Sequence, residues 1–197
     1  MSVVYLASSS PFRRAQLDGL RLSFEVISPD IDETPQANET PRQLVERLSI
    51  AKASTVAAQL NTGLVIGSDQ VAVIDGEVVG KPGDHARALQ QLRRCSDREV
   101  VYLTGVALIN VATAKQQLAV VRTEVGFRAL DDVLIESYLR LDQPYQCAGS
   151  IRSESLGISL MRYQRSDDPS ALIGLPLIYL LEMLRNEGVD PALGVSR

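Results

Sequence analysis

The sequence predicts an α/β fold built on a mixed sheet, and three observations carry that expectation. Segments with helical periodicity alternate with strand-like segments along the chain. Two strand patterns occur. Short apolar runs such as Leu64–Gly67 suit strands buried on both faces. The alternation of Val121, Thr123, Val125 and Phe127 with Arg122, Glu124, Gly126 and Arg128 suits a strand with one wet face. The composition is that of a globular chain, with 197 residues of which 45% are hydrophobic and 22% charged. At that length one domain is expected, or two small lobes sharing a core.

In chain order, Ser2–Ala7 reads as a buried strand, followed by a serine-rich turn and a helix from about Pro11 to Leu20. Phe24–Ile27 is a second short strand leading into an acidic loop, Asp30, Asp32 and Glu33. The next helix has Thr40 as N-cap, Pro41 at the first helical position and Gln43 completing a capping box; it runs to about Leu60 and stops before Gly63. Leu64–Gly67 is an apolar strand ending at Ser68-Asp69-Gln70. Val71–Ile74 and Glu77–Val79 flank Asp75-Gly76, a hairpin turn signal. Asp84 caps a helix through about Arg94, and Glu99–Asn110 and Gln116–Arg128 read as two long strands. A helix over about Asp131–Leu141 follows, then short strands near Cys147–Ser150 and Gly157–Met161. Pro176 starts a last helix that ends at Gly188.

Composition narrows the function. Twenty Lys+Arg against 24 Asp+Glu give a net charge of −4, which argues against a nucleic-acid polymer held by charge alone. One histidine, His85, excludes a multi-histidine metal site and disfavours a histidine-based triad. Cys95 and Cys147 form no CxxC pair, so a bound metal is expected to have oxygen ligands, as Mg²⁺ or Mn²⁺ does. Both cysteines read as buried small apolar residues. The N-terminal apolar run is too short for a signal-peptide core, and no stretch reaches the roughly 18 apolar residues of a membrane span. A cytoplasmic protein with reduced thiols, without membrane contact, is therefore expected.

Four local features carry chemistry. Ser8-Ser9-Ser10-Pro11-Phe12-Arg13-Arg14 joins a strand to a helix N-terminus, where free N–H groups favour anions. Two arginines in that first turn oppose the helix dipole, which an anion would offset; the alternative is a plain serine cap with solvated arginines. Lys52 falls among Val45, Leu48 and Val56 on the helical wheel, so it snorkels, pairs with a carboxylate or reaches into a cleft. Asp69-Gln70 at a strand end is either a ligand position or a turn cap, and Lys81 in Gly80-Lys81-Pro82 is either held beside Asp69 or exposed. The acidic loop either ligates a hard cation or is merely solvated. Together these features supply the hydroxyls, cations and carboxylates that phosphoanhydride hydrolysis uses.

The stretches LASSSPFRRAQL (6–17), DET (32–34), ERLSIAKA (46–53), GSDQV (67–71), GKP (80–82), YLTGVAL (102–108), CAGS (147–150) and GLPL (174–177) resemble, in this order, the Maf family of nucleoside triphosphate pyrophosphatases. The resemblance covers nearly the whole chain. It implies an elongated, ITPase-like α/β fold with a long mixed sheet, as one domain over 1–197 whose two lobes flank a cleft. It further implies hydrolysis of the α–β phosphoanhydride of a nucleotide to a monophosphate and pyrophosphate, with Mg²⁺, Mn²⁺ or Co²⁺. Ser8, Arg13, Lys52 and Lys81 become phosphate-binding candidates, and Glu33 and Asp69 metal and water-activating carboxylates, with Asp69 as proton acceptor. Phe12, Gln70 and Glu154 match the family's specificity positions and are similar to the branch acting on 7-methyl-GTP, which has an aromatic residue, Gln and Glu there. An aromatic face attracts the delocalised charge of N7-methylguanine, and a carboxylate accepts from its N1–H and 2-amino group. The chain departs from that branch in having Phe12 where Trp is more usual, which predicts lower affinity or broader base choice. Read without the resemblance, Phe12 staples its helix and Glu154 is a loop acid paired with Arg152. The competing functions are a dTTP/UTP or broader-specificity pyrophosphatase and a non-hydrolysing nucleotide-binding regulator of septum formation. Family members are often dimers, so a homodimer is an open expectation.

Overall fold

The computed structural model describes residues 3–193, 195 and 196. Seven strands form one mixed sheet: β1 (Val4–Ala7), β2 (Phe24–Val26), β3 (Leu64–Ile74), β4 (Glu77–Val79), β5 (Glu99–Asn110), β6 (Lys115–Phe127) and β7 (Met161–Ser166). The helices are α1 (Pro11–Gly19), α2 (Pro41–Ala57), α3 (His85–Cys95), α4 (Asp132–Asp142) and α5 (Leu177–Asn186). The sheet order is β2-β1-β3-β5-β6-β7, with β4 on β3. β1 runs parallel to β2 and β3, while β3, β5, β6 and β7 pair antiparallel. Asp75 and Gly76 both have positive φ, 54° and 82°, as the tight β3–β4 turn requires. The β6 alternation holds: Val121, Thr123, Val125 and Phe127 are buried, whereas Arg122 and Arg128 are exposed.

One irregularity of β3 positions the cleft. On its β5 side the strand is paired from Leu64 to Val73 without a break. On the other side, β1 pairs with residues 64–67 and β4 with residues 72–74, which leaves Ser68–Val71 without a strand neighbour there.

Helix α2 covers one face of the sheet, packing Leu44, Val45, Leu48, Ala53 and Val56 near Val65, Val71, Ala107 and Ile109. The opposite face carries two clusters. Leu64, Ile66, Val106 and Leu108 meet Leu17 of α1 and Leu180 and Leu184 of α5, while Ala72, Ile74, Tyr102 and Phe127 meet α3 and α4. Between them Ser68, Gln70 and Thr104 form a polar belt, satisfied by carbonyls of a 3₁₀ segment (Pro169–Ile173) and of Gly174.

Several boundaries differ from those read in the sequence. β3 does not end at Ser68-Asp69-Gln70; it continues to Ile74, so Asp69 sits mid-strand, because Ser49, Lys52 and Thr104 satisfy its polar residues. Ala148–Ser150 is a 3₁₀ turn rather than a strand, since Gly149 and Ser150 adopt φ of 65° and 59°. Leu156–Leu160 is likewise 3₁₀, and the strand expected there begins at Met161 and runs to Ser166. The second strand ends at Val26, α2 ends at Ala57, and Pro176 caps α5 rather than starting it. Ser2, included in the first expected strand, lies outside the described residues.

Candidate active site

The unpaired stretch of β3 opens onto a cleft of about 440 Å³, continuous with a smaller cavity of about 200 Å³. Arg13, Lys52, Lys81, Glu33, Asp69, Phe12, Gln70 and Glu154 all line the larger cavity, and Ser8 lines the smaller. Ser10, Phe12, Arg13, Glu33, Lys52, Lys81 and Gln146 line both.

The centre of the site is set by how closely α2 lies on the sheet. A Cβ at Gly67 would run into the Ser49 carbonyl and the Ala53 nitrogen, and one at Gly105 into Ser49 Oγ and the Val45 carbonyl. With glycine at both, α2 approaches β3 and β5 at backbone distance. Ser49 Oγ then accepts from the Asp69 N–H at 3.0 Å. Lys52, only 6% exposed, turns off the apolar stripe and lies 2.6 Å from Asp69 Oδ1 and 2.7 Å from Glu33 Oε1. Pairing and reaching into the cleft, two of the options open to that lysine, are thus both realised. Burial pushes the Glu33 carboxyl up, but the hydrogen bond and charge of Lys52, with Lys81 and Arg13 behind it, outweigh that and hold it below the usual glutamate value. Of the acidic loop only Glu33 reaches the cleft; Asp30 is exposed, and Asp32 accepts from the Thr34 N–H at 2.9 Å.

The strand–turn–helix segment supplies the next wall. Ser8 Oγ accepts from the Ser10 N–H, and Ser10 caps α1. Arg14 points away and lies 3.9 Å from Asp18, whereas Arg13 enters the cleft and donates Nε–H to the Gly174 carbonyl at 2.7 Å. Ser68 Oγ donates to the same carbonyl, which ties the 174–177 turn to both α1 and β3. Burial draws the Arg13 guanidinium pKa down while Asp69 and Glu33 oppose the change, and a guanidinium stays charged regardless. Lys81 stands exposed on the opposite rim, its loop held by hydrogen bonds from Gly83 N to the Tyr145 carbonyl and from Gly149 N to the Gly80 carbonyl.

The three specificity candidates line the same cavity. Gln70 projects from the face of β3 opposite Asp69, and its amide nitrogen donates to Thr104 Oγ1 and the Ala171 and Leu172 carbonyls. Only its carbonyl oxygen is therefore left to read a ligand. Phe12 and Glu154 are joined through Arg152, whose guanidinium lies 5.3 Å from the Phe12 ring centroid and 3.3 Å from Glu154 Oε1. Sequence reasoning missed Gln146 and Gly174 as lining residues, and it took Cys147 for a buried one. Cys147 is half-buried and lines the cleft, because the 3₁₀ turn after it presents it there. Burial, with Glu154 nearby, pushes its thiol up to about 12.

Two carboxylates held around one ammonium form a hard, all-oxygen donor pair that suits a divalent cation completed by phosphate oxygens and water. No cluster of three or more His, Cys, Asp or Glu occurs among the described residues.

The Maf-like protein family model matches residues 3–187. The chain belongs to the Maf family. Proteins called 7-methyl-GTP pyrophosphatase are similar to it in Bordetella avium (56% identical over 187 residues, 94% of this chain and 93% of that protein) and in Pseudomonas aeruginosa (50% over 190 residues, 96% and 99%). A third, with the same name, is from Nitrosococcus oceani (51% over 183 residues, 93% and 92%). Among solved structures the Ham1 protein of Staphylococcus aureus shares the fold, with a TM-score of 0.51 and 13% identity over 93% of this chain and 98% of that one. The expected Maf/ITPase-like α/β architecture is thus observed. No helix among the described residues is long and apolar enough to cross a membrane.

Proposed function

We propose that this Maf protein hydrolyses the α–β phosphoanhydride of nucleoside triphosphates, releasing a monophosphate and pyrophosphate, and that 7-methyl-GTP is its preferred substrate. In this reading the chain works as one domain whose two lobes flank the cleft. The observation that carries it is the buried Lys52 bridging Asp69 and Glu33 beside Arg13 and Lys81, in a cleft that also offers an aromatic ring and a carboxylate. The relatives' shared name supports the same activity and substrate.

Arg13, Lys52 and Lys81 neutralise phosphate charge, and more so as charge builds on the leaving pyrophosphate. The hydroxyl of Ser8, at the entry to α1, donates to one phosphate. Asp69 orients the attacking water. It takes the proton late, as the new P–O bond forms and the water becomes acidic. Lys52 keeps Glu33 ionised and holds both carboxylates in register. Glu33 and Asp69 would hold a divalent cation, Mg²⁺, Mn²⁺ or Co²⁺, which supplies further neutralisation of phosphate charge. The Phe12 ring, the Glu154 carboxylate and the Gln70 carbonyl oxygen receive the base.

The test is pyrophosphate release from a panel of 7-methyl-GTP, GTP, UTP and dTTP with each of the three metals and with chelator. Highest kcat/KM on 7-methyl-GTP and loss of turnover in chelator are expected. Turnover of no nucleotide would refute the activity, and equal kcat/KM across the panel would refute the preference.

A further inference from the structure

We propose that Arg152 is a specificity-determining residue: an internal cation that holds the base subsite in the free protein and competes with the nucleotide's base for Phe12 and Glu154. The inference rests on the base-reading role proposed above for those two residues.

The backbone at Arg152 is fixed. Its N–H donates to Tyr138 Oη at 2.9 Å, and its carbonyl accepts from the N–H groups of Ser155 and Gly157 at 3.2 and 3.1 Å. A Cβ at Gly157 would collide with the Arg152 backbone, so a glycine there lets the loop close on itself. The side chain is held differently. Its contacts are the face of Phe12, 5.3 Å away, and one oxygen of Glu154, 3.3 Å away, and it remains 39% exposed. A long side chain on a fixed backbone, held by two weak, partly hydrated contacts, swings aside at small cost.

The chemistry of the occupant explains why it competes. The N1–C2–N2 edge of guanine is itself a guanidine unit. It offers a carboxylate two N–H donors side by side, as an arginine fork does. Methylation at N7 adds the delocalised positive charge that an aromatic face favours. Arg152 is therefore a planar guanidinium occupying the partners that a cationic guanine would use. Such a base recovers both contacts when it displaces the arginine. Uracil offers one N3–H flanked by two carbonyls that repel a carboxylate, and it carries no charge, so it recovers far less of either contact.

The experiment compares Arg152→Ala, Arg152→Lys, Glu154→Gln and the Arg152→Ala/Glu154→Gln double variant. Arg152→Ala should lower KM for 7-methyl-GTP about three- to tenfold, the range set by losing one exposed ion pair and one exposed cation–π contact. Calorimetric binding of 7-methyl-GMP should tighten in parallel. KM for UTP and inhibition by inorganic pyrophosphate, neither of which carries the guanidine edge, should not move. Arg152→Lys should fall between wild type and Arg152→Ala, and the gain should vanish in the double variant. An unchanged or raised KM for 7-methyl-GTP in Arg152→Ala overturns the inference, and so does an equal gain for UTP. If Glu154→Gln abolishes discrimination while Arg152→Ala is silent, this inference alone falls. If Glu154→Gln leaves discrimination intact, the base-reading role falls with it.

Discussion

Replacing Lys52 with Met isolates the electrostatics at the centre of the site. The ammonium lies 2.6 Å from Asp69 Oδ1 and 2.7 Å from Glu33 Oε1. At an effective dielectric of about 20, each such pair is worth about 6 kcal/mol before desolvation is counted. The Glu33 side chain is half exposed, so water screens much of its share, but Asp69 is only 7% exposed. Methionine fills the same channel and removes the charge, leaving a buried carboxylate whose lysine partner is gone and a second carboxylate close by. Breaking a buried pair from one side costs about 3–5 kcal/mol; the lower figure is expected here because the cleft admits water. The deficit also has a pH signature. In the native protein Glu33 lies below its ordinary pKa, so it adds stability above that pKa which is lost as pH falls through the native value. Without Lys52, burial is the largest influence left on Glu33 and its carboxyl rises, so its protonation on mild acidification relieves the repulsion with Asp69. Urea unfolding in chelator should show Lys52→Met less stable by about 3 kcal/mol at pH 7 and by clearly less at pH 5. Equal stability at pH 7, or the same deficit at both pH values, would refute the reasoning.

Gly67→Ala should force α2 off β3, at a cost of about 1–3 kcal/mol in melting or urea experiments, with a fall in kcat because Lys52 loses its register on Asp69. Unchanged stability would mean the close approach is not needed. Asp69→Asn should lower kcat by about 10²–10⁴ while the variant still folds, since Glu33 continues to pair with Lys52; wild-type turnover would remove Asp69 from the reaction. Glu39, held at about 2 by its hydrogen bond to Arg47, should add stability that is complete above the unfolded carboxyl pKa and fades as pH drops towards 2. Acid unfolding of Glu39→Gln would show it as a smaller loss of stability over that interval. Cys147, with its thiol pushed up to about 12, should alkylate slowly at pH 8 although it lines the cleft; labelling as fast as a free thiol would refute that environment.

Much of the site is legible one residue at a time. The Thr40–Gln43 capping box forms as read, with Gln43 accepting from the Thr40 N–H at 2.9 Å. Lys52 on an apolar stripe announces that something must receive its charge. The errors fall where a polar residue has a partner far away in sequence. Ser68-Asp69-Gln70 reads as a strand end because Asp and Gln are poor strand formers in isolation. They lie inside β3 because Ser49, Lys52, Thr104 and Ala171 satisfy them. Ala148–Ser150 reads as a strand but forms a 3₁₀ turn, because positive φ at Ser150 leaves no trace in composition. Arg152 reaches Phe12, 140 residues away in the chain, as well as Glu154, and only the pairing with Glu154 is legible in the sequence.

By itself the sequence determined the alternation of helix and strand, the hairpin at Asp75-Gly76, the lack of a multi-histidine or CxxC metal motif and the set of charged residues suited to a phosphoanhydride. Those follow from local sterics, periodicity and the donor inventory of single side chains. Tertiary structure decided the gap that β1 and β4 leave beside Ser68–Val71, the approach of α2 permitted by Gly67 and Gly105, and the ammonium shared by two carboxylates. Each of these is a distance between elements far apart in the chain. Packing and charge pairing set such distances, and no local propensity encodes them.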